Sequence, residues 1–213
     1  MSKPVVLLGG GGHSSVLIEI LLILNRNIVG ITDPLLPKGS LSEDRIPIIG
    51  DDQAVLDYPP DTIQLVNGVG SLPRNLLRKD LFIKFESLGY EFSKVIHPSA
   101  IISSSASLAS GVQVMAGVII QRGVKIGHNC IINTGASLDH DCIIEAHCHI
   151  APGVTMCGGA VVGREVHVGP AATILELVTI GSESIIGAGA VVTKNLNNRT
   201  IVYSSRGTIK SID

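Results

Sequence analysis

VIHPSA, IISSSA, SLASGV, QVMAGV, IIQRGV, KIGHNC, IINTGA, SLDHDC, IIEAHC, HIAPGV, TMCGGA, VVGREV, HVGPAA, TILELV, TIGSES, IIGAGA, VVTKNL: this is the chain from Val95 to Leu196, written in sixes. The second place of every unit is Ile, Leu, Val or Met, and the sixth is Ala, Val, Cys, Ser or Leu. No insertion breaks the frame over seventeen units. An α-helix turns through about 600° in six residues, so it cannot keep every sixth side chain on one face. Short strands joined by tight corners can, at three strands to a coil. The second-place residues then stack inward, with Ile126, Ile144, Val162 and Ile180 one coil apart. The sixth places line corners that admit only slim side chains. Gly, Asn and Asp in between supply the left-handed or turn conformations that corners need. Each coil buries apolar surface only against its neighbours, which makes the stretch a solenoid.

Composition agrees. Aromatic residues make up 3% of the 213-residue chain and Trp is absent, as a narrow aliphatic prism requires. The net charge is −2 with no basic run, which gives no electrostatic case for nucleic acid. No segment offers 18 consecutive apolar residues. The apolar run of SKPVVLLGGGGH is too short for a signal peptide, so a cytoplasmic protein is expected. Of the four cysteines, Cys130, Cys142 and Cys148 fall on sixth places, where packing explains them; Cys157 is the fourth. A disulfide framework is not expected.

Residues 1–94 follow another grammar. Pro4–Leu8 reads as a strand ending in Gly9, Gly10, Gly11 and Gly12, and His13–Leu24 as a helix. Asn27–Thr32 reads as a second strand closed by Asp33-Pro34, and Gln64–Asn67 as a third, followed by Gly68. A helix is expected from Pro73 to Leu88. Strand, glycine loop, helix, strand is a Rossmann-like βαβ unit. Gly9 and Gly11 fit the first two glycines of the dinucleotide fingerprint, but the third falls on Ser14. A glycine loop at a helix N-terminus still suits phosphate. A nucleotide diphosphate is therefore favoured over a nicotinamide cofactor, with Asp33 placed to meet a ribose or a base.

A small Rossmann-like domain with a Gly-rich loop and His, followed by hexapeptide units, resembles the nucleotide-sugar acetyltransferases of the hexapeptide-repeat superfamily. The resemblance implies a left-handed parallel β-helix over 95–196, a nucleotide-sugar-binding domain over 1–94 and a C-terminal tail over 197–213. It implies acetyl-CoA as co-substrate, with no metal, and N-acetylation of a UDP- or GDP-linked 4-amino-4,6-dideoxy sugar in surface-glycan (lipopolysaccharide) biosynthesis. Sialic acid O-acetyltransferases are the alternative within the family. A homotrimer with its sites between subunits is implied as well. Relatives usually close on a Gly-x-Pro-Ala-Lys-like turn, whereas this chain has Val202-Tyr203-Ser204-Ser205-Arg206.

Five histidines cluster along the prism: His128, His140, His147, His149 and His167. His140 stands outside the inward ladder between Asp139 and Asp141. Amine acylation needs a base, and a positioned His contributes roughly 10²–10⁴ in rate. In the family the base is a His followed by an acidic residue, which matches His140-Asp141. A second His nine residues on, here His149, is assigned to the acetyl carbonyl. His167 lies one coil above it; His128 and His147 are read as surface residues. The resemblance places His13 near the sugar, with Gly9 to Gly12, Asp33 and Gly68 around the substrate. It places His149, Gly158, Pro170, Gly187 and Ala188 along CoA, with Lys194 and Arg206 near its phosphates.

Two rivals remain open. One is a zinc enzyme of the γ-carbonic-anhydrase type, whose paired histidines five apart are not matched by the spacings of 12, 7, 2 and 18 here. The other is a binding protein that keeps the prism without chemistry.

Overall fold

The computed structural model describes residues 3–205. The first 94 residues form a four-stranded parallel sheet in the order β3-β2-β1-β4, from β1 (Val5–Leu8), β2 (Ile28–Thr32), β3 (Ile48–Gly50) and β4 (Gln64–Asn67). Helix α1 (Gly12–Ile23) follows β1, and α2 (Leu77–Ser87) follows β4. β1 is buried at all four residues, the continuous apolar pattern of a central parallel strand. β3 lacks such a run and was not legible in the sequence. α2 starts at Leu77 rather than at Pro73: Arg74 has φ +64°, which no helix accepts, and Asn75 Oδ1 instead receives the Leu77 N–H.

From Val95 onward, two-residue strands stack into three parallel sheets of seven, six and five strands. The seven-stranded sheet starts at Val95–Ile96 and carries the N-terminal domain; we call it the domain face. The six-stranded sheet starts at Ile101–Ile102 and the five-stranded one at Ser107–Leu108; they are the second and third faces. Pairing is in register at eighteen residues, as in Lys125 with Ile143 and Ile143 with Val161. Ile126, Ile144, Val162 and Ile180 do form one buried ladder.

From Gly111 to Gly189 the fifth place of every unit has positive φ. Half of these places are glycine; the others include Asn129, Asp141, His147 and Glu165. The sixth-place cysteines 130, 142 and 148 are buried and donate their S–H to the carbonyls of Glu145, Cys157 and Gly163.

The register changes only at the end. Leu196 bridges Ile180, and Ile201 pairs with Ile185, so the last coil spans sixteen residues. Leu196 thus takes a ladder place rather than a corner place, and the prism runs on to Val202, beyond the expected boundary at 196.

The two parts share a core. Val95, Met115 and Ile131 of the domain face pack with Val5, Leu7, Leu17 and Leu21 beneath α1. Lys79 of α2 pairs with Glu165 at 2.8 Å. Asn67 Nδ2 reaches Asn129 Oδ1 at 3.3 Å.

Candidate active site

His140 lies on the corner between the second and third faces. In a triangular prism that corner is opposite the domain face. Its side chain is 57% exposed. The corner fold sets its pose. Asp139 Oδ1 accepts the His140 N–H at 2.7 Å, and Asp141, with φ +59°, aims Oδ2 at His140 Nδ1 at 2.9 Å. A carboxylate only accepts, so Nδ1 carries a hydrogen and the neutral ring keeps its lone pair on Nε2. Glycines flank the pair one coil below and one above. A Cβ on Gly123 would collide with Asp141 Oδ1, and one on Gly158 would lie 2.6 Å from His140 Nε2. The result is an exposed imidazole with a fixed tautomer and a bare backbone beside its basic nitrogen.

The other four histidines of that cluster lie on the domain face or at its edge. His149 and His167 are register partners on the domain face, with ring centroids 4.9 Å apart. His149 Nδ1 donates to Ser71 O at 3.1 Å, and its Nε2 accepts from Asn133 Nδ2 at 3.1 Å. Burial, then His167, lowers its pKa to about 4. Both ring nitrogens of His149 are thus engaged within the protomer, and it does not meet His140 there. His128 and His147, read as surface residues, are packed: His128 stacks on Phe82 at 5.3 Å and His147 meets the same ring edge-on at 5.6 Å. The sequence could not show this, because Phe82 belongs to the other domain.

The glycine loop takes its expected place between β1 and α1. Gly9 has φ +91°. Space is open in front of Gly11 and Gly12, where α1 starts without a side-chain cap. Gly68 packs tightly against the loop: a Cβ there would come within 2.8 Å of Leu8 O, Gly9 O and Ser14 Oγ. This packing explains why a small residue, Ser14, fills the third fingerprint place. Asp33 stands beside the loop, but its Oδ2 accepts the Gly10 N–H and its Oδ1 the Leu35 N–H, both at 2.8 Å. It braces the loop, and the Gly10 N–H is taken. Asp33, Lys38, Asp51 and Gln53 line a shallow recess next to it. His13 Nε2 is 2.8 Å from Gln113 Oε1 on the domain face.

The residues expected along CoA divide between two corners. Gly158 lies with His140. Pro170, Gly187 and Ala188 lie on the corner between the domain face and the second face, where Pro170 and Ala188 are exposed. Arg206 lies outside the described residues. A cleft of about 350 Å³ opens between residues 71–76 and the upper coils, lined by Arg78, His147, Glu165, His167 and Arg199 among others. Arg78, Gln113 and Asn129, all buried, were missed by sequence reading. Each is an ordinary polar residue until the two domains are brought together. No group of three His, Cys, Asp or Glu among the described residues is placed to hold a metal, and no helix among them is long and apolar enough to cross a membrane.

Comparison with known proteins agrees with this organisation. A family profile described as the PglD N-terminal domain matches residues 4–85, and one described as bacterial transferase hexapeptide (six repeats) matches residues 123–158. A perosamine N-acetyltransferase from Caulobacter crescentus, solved with CoA and GDP-perosamine and with one histidine changed to asparagine, is 36% identical. It superposes with a TM-score of 0.87 over 99% of this chain and 98% of that one. The acetyltransferase domain of PglB from Neisseria gonorrhoeae, solved with acetyl coenzyme A, is 29% identical, with a TM-score of 0.86 over 94% and 96%. WeeI from Acinetobacter baumannii shares the fold at 20% identity, with a TM-score of 0.83 over 95% and 97%.

Proposed function

Because this chain belongs to the left-handed β-helix family of hexapeptide-repeat sugar acetyltransferases, we propose that it moves the acetyl group of acetyl-CoA to the amine of a nucleotide-linked 4-amino-4,6-dideoxy sugar. The observation that carries the mechanism is the His140–Asp141 pair at 2.9 Å, exposed beside Gly158. Nε2 of His140 takes the proton of the sugar amine as its nitrogen attacks the thioester carbonyl. Asp141 stabilises the imidazolium that forms. The C–S bond then breaks as the tetrahedral intermediate collapses, and the imidazolium returns its proton to the departing CoA thiolate. The developing oxyanion is assigned to a backbone N–H rather than to His149, because both ring nitrogens of His149 are engaged within the protomer.

The nucleotide diphosphate is assigned to the open N-terminus of α1 at Gly11 and Gly12, where free N–H groups and the helix dipole suit phosphate. Acetyl-CoA is assigned to the exposed corners carrying Gly158, Pro170, Gly187 and Ala188. In one protomer the glycine loop and His140 lie on opposite sides of the prism. A neighbour's prism must bring its own His140 to the loop, and a closed three-fold ring gives three such clefts. The GDP-perosamine bound by the 36%-identical enzyme supports an amino sugar over sialic acid and a GDP carrier over a UDP one; the further reading is a cytoplasmic role in surface-glycan assembly.

The test is thiol release from acetyl-CoA with UDP-, GDP- and dTDP-linked 4-amino sugars, CMP-sialic acid and free sialic acid. An amino sugar is expected to be acetylated, and His140→Ala to lower kcat/KM by roughly 10²–10⁴. Release with sialic acid alone would move the chain to O-acetylation. Release with none of them would end the proposal.

A further inference from the structure

Gln113 is buried to 1% exposure on the domain face, and both ends of its amide are spoken for. Its Nε2 donates to the main-chain oxygen of Asn67 at 2.8 Å. That oxygen also receives Arg78 Nη1 at 2.8 Å, so it is an acceptor in a fixed place. An amide nitrogen cannot accept and an amide oxygen cannot donate. Only one orientation of Gln113 therefore fits, and it turns Oε1 towards His13 Nε2, 2.8 Å away. Oε1 must receive a hydrogen there, so His13 carries its hydrogen on Nε2 and its lone pair on Nδ1. Among the described residues Nδ1 has no hydrogen-bond partner, and it is not one of the enclosed, unpartnered side-chain atoms.

We propose that Gln113 is a positioning residue: it locks His13 as the Nε2–H tautomer, so that Nδ1 is presented at the glycine loop as a hydrogen-bond acceptor for the substrate. This rests on the reading of the loop as the nucleotide-sugar site, and it sharpens that reading. An acceptor gains nothing from a phosphate oxygen, which has no hydrogen to give. It selects an N–H or O–H donor, so His13 addresses the sugar's amine or a hydroxyl and leaves the diphosphate to the helix N-terminus. Burial, then the Arg78 cation, holds the His13 pKa down at about 4, which keeps the ring a neutral acceptor at working pH.

Nitrogen-15 spectra of histidine-labelled protein, with His13 assigned through His13→Gln, test the tautomer without any need for activity. Wild type is expected to show Nε2–H and bare Nδ1 from pH 6 to 8. Gln113→Met removes both hydrogen bonds at similar volume; it is expected to mix the tautomers and to raise KM for the nucleotide sugar about tenfold, with the change falling on that KM rather than on kcat or KM for acetyl-CoA. Gln113→Glu, neutral when buried, can still accept from His13 and donate to Asn67, and should restore both. A purely packing role would lower thermal stability in Gln113→Met while leaving tautomer and KM as in wild type, and would overturn the proposal. So would Nδ1–H or a charged ring in wild type, which needs no variant to fold. If wild type acetylates no sugar, the proposed function fails, yet the spectra still judge Gln113.

Discussion

His140 is held in its pose by residues that the repeat would otherwise treat as filler. Asp141 occupies a fifth place and adopts φ +59° there, which costs an L-residue roughly 1–2 kcal/mol in the left-handed region. The same twist aims its carboxylate back at its neighbour. Gly158 matters through what it lacks. Gly158→Ala puts a methyl group where His140 Nε2 now rests, and the ring must leave Asp141 to avoid it. Turnover is expected to fall about tenfold or more, with thermal stability nearly unchanged because the ring swings into solvent; an equal loss of both would point to a damaged corner. The pairing of His140 with Asp141, which we propose as base and partner, could be picked out in SLDHDC because the ladder accounts only for Leu138 and Cys142 there. The engagement of His149 with Ser71 and Asn133 was not legible, because Ser71 is 78 residues away in sequence and meets it only across the domain seam.

Among the elements, the corners decide local stability. Fifth places without glycine carry strain, and Ala171, exposed with φ +54°, has only a methyl group to offset it. Ala171→Gly removes the strain but adds freedom to the unfolded chain, for a net gain of about 0.5 kcal/mol. The reverse change at Gly135, with φ +66° and open space around its Cβ direction, should cost about 1 kcal/mol. Denaturant titration of the two variants checks both signs, and the same sign for both would refute the corner rule. The prism elements could be read as far as Val192 because a six-residue period leaves no slack; the sixteen-residue last coil escaped because it breaks that period. α2 could not be read as well: its start is set by Arg74 at φ +64°, and Pro73 alone looked like a helix opening.

The seam between the domains gives the whole molecule a pH response. His13, His147 and His149 all have pKa values lowered to about 4, in each case chiefly by burial. Unfolded, each titrates near 6.5. Between those values the unfolded chain binds more protons than the folded one, so stability is full above about pH 6.5 and is lost as pH falls towards 4. A melting series from pH 7.5 to 4.5 should decline over that window, and His149→Gln should flatten part of it; a flat series would mean the rings are charged in the fold. Assembly has its own test. Co-expressing His140→Ala with a chain whose glycine loop is blocked, such as Gly11→Val, mixes two inactive subunits. Sites shared between neighbours would recover up to about a quarter of wild-type activity, since half the loops and half the histidines are intact and combine at random. Recovery of nothing would place each site within one chain.

The eighteen-residue register also sets which length changes the molecule can absorb. Each coil is one full rotation of the prism, so an insertion of eighteen residues between Ala151 and Glu165 restores the facing of everything after it. An insertion of six rotates the remainder by a third of a turn. Glu165 would then leave its corner, and Lys79 would lose the partner it now holds at 2.8 Å. Length variation in such chains is therefore quantised: whole coils lengthen the prism beyond His140 and leave its faces in phase, while single units exchange one face for another.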